Sequence, residues 1–90
     1  MLTIVAKTEN GTEYRFYERN GRALLRRGYI LMGEVVHIKN GPISVGKPIE
    51  VDYRKMYQYG KPEADTMFCS TSPIKEIVVV VQDTSTGTLK

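Results

Sequence analysis

The side chains in this chain that could do chemistry are one histidine, His37, one cysteine, Cys69, six tyrosines and thirteen lysines and arginines. A nucleophilic centre needs a nucleophile, a base and an orienting group held together. Cys69 and His37 are the pair to test. Cys69 stands in the alternating segment TMFCS, where cysteine behaves as a small hydrophobe. His37 stands between Val36 and Ile38 and faces outward if they face inward. The expectation is a non-enzymatic protein. One histidine and one cysteine do not close a tetrahedral zinc site. The acids are scattered, without the spacing of a calcium loop. Gly46-Lys47 is followed by Pro48 rather than serine or threonine, so it reads as a turn and not as a phosphate loop. Neither metal nor cofactor is expected.

Binding chemistry is better represented. In VDYRKMYQYGKP the residues Tyr53, Lys55, Tyr57 and Tyr59 share one parity. On an extended strand they face one way. Aromatic rings stack on bases and cations hold the phosphates, and Tyr14 or Tyr17 could join from the second strand. Ile49 and Val51 have the same parity, however. Tyr53 therefore reads as a continuation of the core. Lys55 marks where the strand leaves the core, and Tyr57 and Tyr59 are expected exposed on a projecting hairpin.

A second candidate is the arginine cluster Arg19, Arg22, Arg26 and Arg27, in a segment with one acid, Glu18. In a helix, Arg19, Arg22 and Arg26 would share one side, at i, i+3 and i+7. Such a cluster grips phosphate or an acidic partner protein, or is simply a solvated face. The third candidate is IKEIVVVV, where both parities from Ile77 to Val81 are apolar. A small barrel covers only one side of such a strand. Val78, Val79 and Val80 are therefore expected at an interface, in a homodimer or under an added strand.

The elements that position these residues follow from length and pattern. Ninety residues, 41% hydrophobic and 26% charged, make one globular domain rather than a disordered chain. The expected limits are one β domain over 1–83 and a flexible tail over 84–90. LTIVAK and TEYRFYE alternate around Asn10-Gly11, which reads as a type I′ hairpin turn. ERNGRALLRRG breaks that pattern and reads as one or two helical turns, with an irregular loop as the competing reading. Gly33 is expected at a bulge or corner. Asn40-Gly41 is expected to be a second tight turn, with PISV pairing back. IEVDYRKMYQY, TMFCSTSP and the valine run supply the remaining strands. The fold class is all-β, a small single-domain barrel or sandwich of the OB or SH3-like kind, with at most one short helical segment.

Net charge is +3, with a basic first half. No apolar run approaches the roughly 20 residues that span a bilayer, and no signal peptide or cysteine pairing points to an oxidising compartment. The expected location is cytoplasmic, without membrane contact. The leading function is binding of single-stranded nucleic acid or a nucleoprotein through Arg19, Arg22, Arg26, Arg27, Lys55, Tyr57 and Tyr59. The alternative is a protein-interaction module or small inhibitor, of an accessory or mobile-element type, docking through an exposed hairpin or its last strand.

Overall fold

The computed structural model describes residues 2–57 and 59–81. The expected tail over 84–90, and the last residues of the expected domain, lie outside the described residues. Seven strands run in chain order as β1 (Leu2–Thr8), β2 (Glu13–Arg19), β3 (Arg22–Arg27), β4 (Ile30–Ile38), β5 (Glu50–Lys55), β6 (Thr66–Ser70) and β7 (Ile74–Val81). They form one antiparallel sheet in the order β6-β5-β4-β3-β2-β1-β7. The fold is all-β, with no helix among the described residues.

This order forces the sheet to roll up. Its two edges, β6 and β7, are consecutive in the chain, with only Thr71 to Pro73 between them. Four extended steps reach about 14 Å. Six strand spacings in a flat sheet amount to roughly 29 Å. The gap between the edges is bridged by the segment Gly46–Ile49. Gly46 N donates to Ile74 O at 2.8 Å, Ile74 N to Lys47 O at 3.1 Å, and Thr71 N to Ile49 O at 3.0 Å. Inside the roll, Ala6, Tyr14, Phe16, Leu25, Ile49, Val51 and Ile74 form the core.

The first hairpin forms where the alternation places it, with Ala6 opposite Tyr14 and Ile4 opposite Phe16. Its turn is not type I′. Gly11 is at φ 91°, but Asn10 is not at positive φ. Gly11 N donates to Thr8 O at 3.0 Å, and the longer Thr8–Thr12 loop closes through Thr8 N to Thr12 O at 2.8 Å. The I′ geometry belongs instead to Asn20-Gly21, at φ 53° and 76°, between the paired residues Arg19 and Arg22. That turn corrects the helical expectation, since a two-residue loop sends Arg22–Arg27 straight back as β3. The apolar doublet Leu24-Leu25 resembles a helix anchor only because both faces of β3 are covered.

Two bulges explain why β4 looks apolar on both parities. The ladder skips Met32 on the β3 side and Val36 on the β5 side. Each skip reverses parity, so Met32, Val35 and Ile38 all reach the core while Val36 is exposed. The Gly33 expectation holds in this form: the glycine sits beside the Met32 bulge, with the β5 backbone against it. PISV does not pair back; Pro42–Val45 lies in an irregular loop. Asn40 ties that loop together, donating through Nδ2 to Pro48 O at 2.7 Å and accepting Glu50 N at 3.2 Å.

Candidate nucleic-acid interface

The ladder registers assign each side chain to the inner or outer face of the roll. On the outer face, Tyr17 stands opposite Leu24, and Arg15 opposite Arg26. Along β2 the outer face therefore reads Arg15, Tyr17, Arg19, with rungs about 7 Å apart. Arg22 and Arg26 lie on the same face of β3. Three of the four expected arginines thus share a side, as the helical spacing had suggested, but through strand parity. Arg27 takes the opposite parity, beside Tyr14.

The loop from β5 to β6 folds over this outer face instead of projecting. β5 ends at Lys55, so the parity that linked Tyr53 to Tyr57 and Tyr59 stops there. Tyr53 is buried, as expected, and Met56 is buried as well. Tyr59 turns back to Tyr17, with their hydroxyls 2.7 Å apart. The Arg19 guanidinium lies 3.8 Å from the centre of the Tyr59 ring. Met56, Tyr59 and Gly60 share a cleft of about 390 Å³ with Arg19, Arg22 and Leu24. This cover explains why Leu24, on the outer face, is only 1% exposed. Tyr57 is 75% exposed, with Lys55 Nζ 5.0 Å from its ring centre, and stays apart from the arginines.

The two phenols titrate in opposite directions. Burial, reinforced by the bond to Tyr59, raises Tyr17. The hydrogen bond from Tyr17 lowers Tyr59 against its own partial burial, and the charges of Arg26 and Arg19 lower it further. Tyr59 therefore ionises first, below the ordinary value of about 10, with Tyr17 donating to its phenolate. The expected result in Tyr17→Phe is that Tyr59 titrates at higher pH, followed by NMR of ring-labelled tyrosine. An unchanged Tyr59 midpoint would show that Tyr17 does not donate. For Arg26, burial acts to lower the pKa, but the two phenol oxygens outweigh it and the net direction is upward. Its Nε is buried without a hydrogen-bond partner.

A wider groove of about 910 Å³ opens where β2 and β3 meet the turn at Gly28. Lys7, Arg15, Arg26 and Arg27 line it, with Glu13 as the one acid. Four cations against one acid leave an excess of three, equal to the net charge of the whole chain. Glu13 is already 3.5 Å from Arg15. Tyr29, at the rim, is 96% exposed. Nothing in the local pattern singles out Tyr29, since it falls next to the alternating apolar residues of β4. It stands in the turn before β4, with nothing packed on its ring. Arg22 is less free, held 3.3 Å from Glu34.

The remaining candidates are dispersed. His37 faces outward opposite Asp52, whereas Cys69 faces inward opposite Val51. They lie on opposite faces of the sheet. Burial pushes the Cys69 thiol up, away from thiolate. No group of three or more histidine, cysteine or acidic side chains suited to a metal occurs among the described residues. No described helix is long and apolar enough to cross a membrane. Val78, Val79 and Val80 are 46%, 55% and 39% exposed. The chain matches no protein-family model, no curated protein and no solved structure.

Proposed function

We propose that this domain is a non-enzymatic binding module for single-stranded nucleic acid, engaged in the groove at Gly28 and along the outer face of β2 and β3. The observation that carries the reading is the groove, which gathers an excess of three positive charges beside the exposed ring of Tyr29. Single-strand binders combine a cationic track for the backbone with rings that stack bases of any sequence. Arg15 and Arg26 belong both to the groove and to the outer face, so the track continues past Tyr17 towards Arg19. Arg26 lines the groove next to Arg27, where guanidinium groups suit phosphate oxygens. Lys55 and Tyr57 lie outside this track.

The test is fluorescence anisotropy of a labelled oligothymidine over a series of salt concentrations. About three phosphate contacts give a slope of log K against log salt near −2 for a single strand. Absence of binding at low salt, or binding that ignores salt, removes the proposal. Equal affinity for a duplex would reduce it to general polyanion binding.

A further inference from the structure

We propose that a second copy of this chain docks on the free edge of β7, pairing antiparallel with its own β7 about a two-fold axis at Val79. The edge is closed at its start, where Gly46 and Lys47 bond both sides of the Ile74 peptide. The next residues carry the usual protection against strand addition. Lys75 is bulged out of the ladder with β1, and Glu76 is charged. From Ile77 to Val81 the protection ends, with no charge, proline or bulge, and no strand on the far side among the described residues.

Both faces of this stretch are open. Val78 and Val80 point outward, 46% and 39% exposed. Val79 and Val81 have inward parity, opposite Ile4 and Leu2, yet are 55% and 73% exposed at the mouth of the roll. Of the inward set only Ile77 packs against the core, so Val79 and Val81 are left more exposed than the sequence pattern implied.

The strand's own pattern selects the occupant. With the axis at Val79, Ile77 faces the partner copy's Val81, Val78 faces its Val80, and Val79 faces itself. Every pair joins β-branched residues, which favour each other across strands. Moving the axis towards the start of β7 sets Glu76 or Lys75 against a valine. A charged peptide finds no complementary charge from Ile77 to Val81. A five-residue ladder covers less than the roughly 1,200 Å² of a standard specific interface, so a weak dimer is expected, formed as concentration rises. The axis is perpendicular to the sheet, and the basic outer faces of both copies look the same way.

Sedimentation velocity of the full chain from 5 to 200 μM reads the association. Dimer formation across that range is expected, with little dependence on salt. Val79→Lys sets two like charges directly opposite and is expected to give a folded monomer, its fold checked by circular dichroism. In a Cys69→Ser background, Val79→Cys is expected to cross-link to itself when diamide accepts the two electrons. Val78→Cys is not, because its own copy lies diagonally, beyond disulfide reach. A wild type that stays monomeric at 200 μM overturns the proposal. So does a dimer that survives Val79→Lys, or cross-linking at Val78→Cys but not at Val79→Cys.

Discussion

Gly33→Val is expected to leave a chain that does not fold at 25 °C, and Gly33→Ala a domain weakened by about 4 kcal/mol or more, at the upper end of single-residue effects. Gly33 lies where β4 crosses β5 beside the Met32 bulge. A Cβ built there would lie 1.9 Å from the backbone oxygen of Arg54 and 2.7 Å from its carbonyl carbon. Those atoms belong to the β5 ladder, so relief means separating β4 from β5 at the point where the sheet curls. A domain of this size is stable by roughly 5–13 kcal/mol, and the alanine variant alone takes a large share of that. Urea denaturation checks it. A midpoint for Gly33→Ala within experimental error of the wild type would show that β4 and β5 do not approach this closely.

Reversing the charge of Arg26 and Arg27 together is expected to weaken oligonucleotide binding at least 100-fold at low salt. The double variant Arg26→Glu with Arg27→Glu changes the groove's balance from three cations in excess to one acid in excess. Two lost phosphate contacts also flatten the salt dependence by about 1.4 in slope on a single strand. Neither arginine is part of the core, so the fold should survive. The matched control is Lys55→Glu with Lys75→Glu, which changes net charge equally on β5 and β7, outside the groove. Binding there should stay within a few-fold of the wild type. If both pairs weaken binding alike, the interaction follows net charge and the groove has no special role.

The legible part of this protein lay in local patterns. Strict alternation in LTIVAK and TEYRFYE placed the first hairpin, because a period of two leaves one face for the core. Tyr53 was readable as core from Ile49 and Val51, since all three belong to one continuous face. The valine run showed its own excess, because no single layer can cover both parities. Where local signals competed, the reading failed. Leu24-Leu25 between arginines fits a helix as well as a strand that is covered twice, and only the loop folded over Leu24 separates the two. The Asn-Gly pair that takes the I′ turn is the one with no residue to spare between paired strands, Asn20-Gly21, while Asn10-Gly11 sits in a longer loop.

The candidate interface divides in the same way. Residue types and the charge excess were fixed by the sequence, as was the presence of arginines in the segment 15–27. Their grouping was not. A single residue of parity separates Arg26, on the outer face, from Arg27, beside Tyr14. Tyr59 joined Arg19 because a loop of ten residues turned back across β4, which parity along β5 cannot foresee. Sequence by itself determined an all-β chain, its first hairpin and a run of valines apolar on both parities, since each depends on neighbours a few residues apart. Tertiary structure alone decided which cations meet in one groove and which ring stands free beside them. Those neighbours are set by the registers of β1 with β2 and of β2 with β3, which lay Lys7 beside Glu13 and Arg15 beside Arg26 across strands.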